Sequence, residues 1–112
     1  MKLYGIIESY LDYKGADATN WGVKKTLEEA KAALKEIVEH QFHYIRENII
    51  NEIEDEFCVK AEDSEIEERW NKWFNSHLKE GSRGNDGYEY KWEYDDGDCV
   101  FKFYIDEIDF WE

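Results

Sequence analysis

Proline is absent from this 112-residue chain, and cysteine is nearly so. Cys58 and Cys99 are too few and too far apart for a disulfide framework or a four-ligand zinc site, so two buried free thiols are the expectation. No apolar run approaches the ~20 residues that cross a bilayer. Met1-Lys2-Leu3 leads straight into an alternating pattern without an apolar leader segment, so a cytoplasmic protein with no membrane partner is expected. Positive charge is scarce where it would matter most. Residues 52–112 hold seven Lys/Arg against twenty Asp/Glu, whereas residues 1–51 hold seven against eight. A duplex is gripped chiefly by neutralising its phosphates, so direct nucleic-acid binding is disfavoured, and anionic lipid would repel the chain.

Catalytic signatures are missing as well. Neither Cys lies in a nucleophile motif, and no G-x-S-x-G elbow occurs. The glycines from Gly81 to Gly87 sit between a predicted helix and a strand, the reverse of a phosphate-cradling loop. Paired acids are too abundant to point to a hydrolase. No enzyme, catalytic residue or cofactor is therefore expected.

Aromatics are plentiful: five Trp, eight Tyr and six Phe. Each can remove ~150–250 Å² from water, enough to give a small domain a core despite a net charge of −14. One domain spanning residues 1–112 is expected.

Lys2 to Tyr13 alternates, with Leu3, Ile7 and Leu11 on one face and Tyr4, Ile6 and Tyr10 on the other. Both faces are apolar enough for a central strand. Lys14 to Asn20 reads as a turn and Trp21 to Lys24 as a short second strand. Thr26 and Glu29 form a capping box, and apolar residues from Leu27 to Ile53 then recur near a 3.6 period. The pattern fits one long helix or two joined near His40–His43. Phe57 to Val59 reads as a short connection. Ser64 and Glu67 form a second capping box, opening a helix through Ile66, Trp70, Trp73, Phe74 and His77 that ends at Gly81.

The last segment reads as a hairpin. Tyr88, Tyr90, Trp92 and Tyr94 alternate with Glu89, Lys91 and Glu93, and Asp96-Gly97 suits a two-residue turn. That turn sets Trp92 opposite Phe101, Tyr90 opposite Phe103 and Lys91 opposite Lys102. A bulge at Asp106-Glu107 would return Ile108 and Phe110 to the core. The order ββ-α(α)α-ββ predicts an α+β fold, an antiparallel sheet with helices packed on one face, with Tyr90, Trp92, Phe101 and Phe103 facing the helices.

Metal candidates are thin. His40 and His43 could share a helix face near Glu36 and Glu39, but Gln41 stands where a zincin needs Glu. Asp95 to Asp98 lacks the ligand order of a calcium loop. Solvated or core-edge histidines and a hairpin turn explain these residues, and no metal site is assigned.

The acids themselves remain. Glu54, Asp55 and Glu56 end the long helix, and Glu62, Asp63, Glu65, Glu67 and Glu68 open the next. Asp95, Asp96 and Asp98 surround the hairpin turn, and Asp106, Glu107 and Asp109 lie on the last strand beside Trp111. A solvated, solubility-promoting surface is the plain reading. Yet acids at a helix C-terminus oppose its dipole, and self-repulsion destabilises the compact state, so stability does not explain them. Phosphates along a strand are roughly 6–7 Å apart, close to the ~6.6 Å repeat of alternate strand residues and the ~6 Å of helix positions i and i+4. Carboxylates at these positions could occupy Lys/Arg sites built for a nucleic-acid backbone.

Trp21-Gly22-Val23-Lys24-Lys25-Thr26-Leu27-Glu28-Glu29-Ala30 looks like the strand-then-capped-helix unit of many short phage proteins. With its small size, acidity, lack of Pro and α+β order, the chain resembles phage- and mobile-element-encoded inhibitors of host defence, specifically anti-CRISPR and anti-restriction proteins of the DNA-mimic type. The resemblance implies a non-enzymatic inhibitor in the host cytoplasm. Its partner would be the basic groove of a nucleic-acid-binding protein, a CRISPR effector nuclease being one candidate. The fourteen acids just named, with Trp111 as a desolvated anchor, form the candidate binding face. The alternative is a small interaction or accessory module, monomeric or homodimeric, whose acids only solvate it.

Overall fold

Alternation over eleven residues makes Lys2–Asp12 a strand, β1, and its two apolar faces place it inside the sheet. The computed structural model describes residues 1–57, 59–81 and 87–109. The elements are β1, β2 (Gly15–Lys24), α1 (Leu27–Gln41), α2 (His43–Phe57), α3 (Asp63–Ser76), β3 (Leu78–Glu80), β4 (Tyr90–Asp95) and β5 (Val100–Asp109). The fold is α+β, with three helices and one antiparallel sheet ordered β2-β1-β5-β4-β3. The chain divides into two compact units: Met1–Leu34 with His77–Glu112, and Lys35–Ser76.

In the first unit the sheet buries Ile6, Tyr90, Trp92, Phe103 and Ile105, all on one face by register, while Phe101 on that face is half-buried. Ala30 and Leu34 of α1 are fully buried. Lys31 ties α1 to this face, with its ammonium 5.1 Å from the centre of the Tyr90 ring and 2.5 Å from Glu80. The hydroxyl half of the expected capping box is present: the Thr26 hydroxyl accepts from the Glu29 amide at 3.1 Å. In the second unit the buried side chains are Val38, Phe42, Ile49, Ile53, Ile66, Trp70 and Phe74. Trp70 stacks on Trp73 with ring centres 5.3 Å apart.

Several local expectations are corrected. Residues 15–20 are strand, not turn: β2 pairs with β1 from Asp12↔Gly15 onward, leaving only Tyr13 and Lys14 as the turn. The segment gave no apolar signal because β2 is an edge strand, exposed at every residue except Gly22. The pattern from Leu27 to Ile53 is two helices, broken at Phe42, whose side chain is buried and whose carbonyl accepts from the Ile45 amide at 2.9 Å. The second capping box does not form at Ser64. α3 starts at Asp63, with the Glu62 carbonyl accepting from Ile66, so Ser64 is already inside it. α3 ends at Ser76, whose hydroxyl donates to the Trp73 carbonyl at 2.6 Å. Residues 78–80 leave the helix to form β3, because backbone pairing with β4 satisfies them instead.

The C-terminal hairpin is shifted by two residues. Asp95 pairs with Val100, Tyr94 with Phe101 and Trp92 with Phe103, so the loop has four residues, Asp96 to Cys99. Asp96 closes it: its carboxylate accepts from the amides of Asp98 and Cys99 at 3.0 and 2.7 Å. A two-residue shift keeps every aromatic on its expected face. It also sets Lys102 opposite Glu93, so the unfavourable pairing of Lys91 with Lys102 does not occur. No bulge forms at Asp106-Glu107. β5 pairs with β1 in unbroken register to Lys2↔Asp109, and Ile108 is 38% exposed on the other face. The bulge lies instead in β2, where Trp21 is the extra residue between Ile6↔Gly22 and Ile7↔Asn20. Cys99 is a free thiol but only half-buried. Cys58, most of the Gly81–Gly87 loop and Phe110 lie outside the described residues.

Candidate acidic interface

The acids of the helical unit sit on regular helix positions. Asp55 and Glu56 are exposed in the last turn of α2, and Glu54 is half-buried beside them. That turn carries no basic residue, so the carboxylates oppose the helix dipole as expected. Glu62 precedes α3, and Asp63 and Glu65 occupy its first turn, where the dipole favours them. Two arginines neutralise part of this set. Arg46 pairs with Glu67 and lies 3.6 Å from Glu39. Arg69 pairs with Glu65 at 2.9 Å and Glu56 at 3.3 Å. These carboxylates, foremost through the hydrogen bonds that Glu67 and Glu65 accept, hold both guanidinium groups even more firmly protonated than usual. Glu52, Glu54, Glu62 and Glu68 make no ion pair among the described residues. Residues 35–76 carry a net charge of −7.

The sheet unit carries the other half, also −7. The imbalance between the two halves of the sequence is therefore not one between the units, because the first 34 residues share a unit with the acidic C-terminal hairpin. Here the acids have varied employment. Asp95 and Asp96 hold the β4–β5 loop through backbone amides, while the Asp98 carboxylate is exposed. Glu107 pairs with Lys2 at 2.5 Å, and both Glu107 and Asp109 raise the Lys2 pKa, Glu107 the more. Asp106 is half-buried. Trp111 lies outside the described residues.

Three arrangements in the sheet unit escaped the sequence reading. First, Glu8 is 8% exposed and accepts from the Trp21 indole at 2.8 Å. An acid alternating with Ile6 and Tyr10 needs a buried donor, and that signal was legible in the strand pattern. Second, a cleft of about 650 Å³ is lined by Tyr4, Lys31, Glu80, Tyr88, Tyr90 and Asp106, among others. Burial, with the Glu80 and Glu28 charges, pushes the Tyr90 hydroxyl up to about 12. Lys31 and Glu80 are 49 positions apart, so no local pattern could join them. Third, Glu93 lies among Lys79 at 3.0 Å, Lys91 at 3.7 Å and Lys102. Burial would raise its pKa, but the Lys79 hydrogen bond and the three ammonium charges hold it below the usual range.

His40 and His43 are exposed and stand on separate helices, so the shared face that a metal pair required is not formed. Among the described residues no group of three or more His, Cys, Asp or Glu is placed to hold a metal ion. Among them, too, no helix is long and apolar enough to cross a membrane. What the acids can do is accept: those of α2 and α3 offer ammonium and guanidinium groups carboxylates at helical spacing. Family models, curated proteins and solved structures were compared with the chain, and none matches it.

Proposed function

We propose that this chain is a non-enzymatic inhibitor that occupies the basic groove of a nucleic-acid-binding defence protein, a CRISPR effector or a restriction enzyme, in place of the nucleic-acid backbone. One observation carries the reading: the α2–α3 unit displays exposed carboxylates at helical spacing, and its own arginines neutralise only some of them. Glu52 and Glu56, the latter also held by Arg69, are one turn apart, about 6 Å along the axis, a separation close to that of successive phosphates. Within the sheet unit, Asp98 separately exposes a carboxylate. Each contact would speed association and weaken with salt.

The test is competition. Labelled duplex DNA is bound to a candidate effector or restriction nuclease, and the protein is added before or after it. Added first, it should block loading. Failure to displace or exclude DNA from any nuclease of the native host would remove the reading. The rival, an interaction module with solvating acids, is favoured by an apolar strip on the sheet face opposite Ile6, where Asp106 is the one acid of β2, β1 and β5.

A further inference from the structure

The sheet has a second face. Leu3, Gly5, Ile7, Ser9 and Leu11 of β1 alternate away from the buried Ile6. Register sets Ile108 beside Leu3, Val23 beside Gly5, Tyr104 beside Ile7, and Val100 beside Leu11. Ile108 leans across Gly5, its Cδ1 being 3.3 Å from where a Cβ would stand. Leu11 is 50% exposed and Val23 47%, with Leu3, Ile7, Val100 and Tyr104 half-buried around them. Isolated exposed apolar residues need no explanation, but apolar residues repeated on one face of three paired strands, interrupted at Ser9–Lys102 and at Asp106, do.

We infer that this face of β2, β1 and β5 is a homodimer interface, two copies packing sheet against sheet about a two-fold axis. Charge favours a second copy. On these three strands the face holds one lysine, Lys102, and one acid, Asp106, so it is neutral on a chain of −14. Two copies repel through their acids but can meet here without opposing charge. Area permits it. β1 is eleven residues long, about 36 Å, and three strands span about 14 Å. Covering that footprint on both copies buries about 1,000 Å², the lower bound for a specific interface. Aligned sheet packing gives such faces a ready geometry. This inference is independent of the inhibitor reading, because its surface excludes the exposed helix acids.

The experiment is sedimentation velocity on the full chain from ~1 to ~100 µM, a range bracketing the affinity of a minimal interface. The mass should rise with concentration from 13.5 kDa toward twice that value. Dimerisation should strengthen between ~50 and ~500 mM salt, because screening relieves the long-range repulsion. Leu11→Glu with Val23→Glu, both at exposed positions, should weaken the dimer at least tenfold while circular dichroism stays that of the wild type. Should the pair disturb the fold, Val23→Lys alone gives a second reading at a position 47% exposed. A monomer at every concentration overturns the inference and leaves the face to a different partner. A dimer that survives the substitutions, or that dissociates as salt rises, is held elsewhere and overturns it too.

Discussion

Replacing Trp92 with Ala should cost about a fifth or more of the stability of a typical domain. Its indole is fully buried. It meets Phe103 edge-on at 5.8 Å, His77 at 5.5 Å and Tyr94 in a stacked arrangement at 6.2 Å. A tryptophan removes ~150–250 Å² from water, and at ~25 cal/mol per Å² that burial contributes about 4–6 kcal/mol. Alanine retains part of it and the walls relax incompletely, so the expected loss is ~3–5 kcal/mol. Domains of this size have ~5–15 kcal/mol in all. The urea midpoint, followed by far-ultraviolet circular dichroism, should therefore fall by roughly 1–3 M, and the thermal midpoint by at least ~12 °C. Trp92→Phe keeps a ring against Phe103 and should lose less. A midpoint that barely moves in Trp92→Ala would refute the burial on which the sheet register rests.

Other outcomes follow from single contacts. Trp21→Phe removes an indole donor from the buried Glu8 carboxylate and should cost ~1–3 kcal/mol in denaturant unfolding, although Trp21 itself is 43% exposed. Gly5→Ala brings a methyl to 3.3 Å from Ile108 Cδ1, the mobile end of a half-exposed side chain. That end can yield, so the ~0.5–1 kcal/mol gained by removing a strand glycine should leave the variant as stable as wild type or slightly more so. Burial lowers the His77 pKa from its usual 6.5, with its bond to the Glu93 backbone opposing in part. The unfolded chain thus binds a proton that the fold resists. The resulting stability is present above pH 6.5 and is lost as pH falls through the folded value. Urea midpoints at pH 7.5 and pH 5.5 should differ less in His77→Gln than in wild type.

Alternation and capping made the fold class readable. β1, the Thr26 cap and the faces of the final hairpin follow from them, since a strand that buries one face must repeat every two residues. The hairpin register was not readable, because Asp-Gly suits a tight turn equally well. What selected the wider loop was Asp96 bonding two amides and Lys102 finding Glu93. Gly15 to Asn20 was opaque because an exposed edge strand needs no apolar pattern, and β3 because three residues carry no period. The acids were visible one by one. Their employment was not. Asp95 and Asp96, which looked free for a partner, hold their own loop, and Glu67 and Glu107 are paired at home.

That distinction selects the measurement bearing most directly on charge-driven occupation of a basic groove. Charge reversals belong at exposed acids without structural work, Glu52→Lys, Glu68→Lys and Asp98→Lys, and not at Asp95 or Asp96, where a reversal would also open the loop. Association with a target nuclease that loses DNA in the competition assay should be timed by stopped flow at ~50 and ~200 mM salt, a range over which contacts of the phosphate type change strongly. The expected result is a wild-type rate that falls steeply with salt, and a triple variant that is slower at low salt and nearly indifferent to it. Equal rates for wild type and variant, unaffected by salt, would contradict nucleic-acid mimicry.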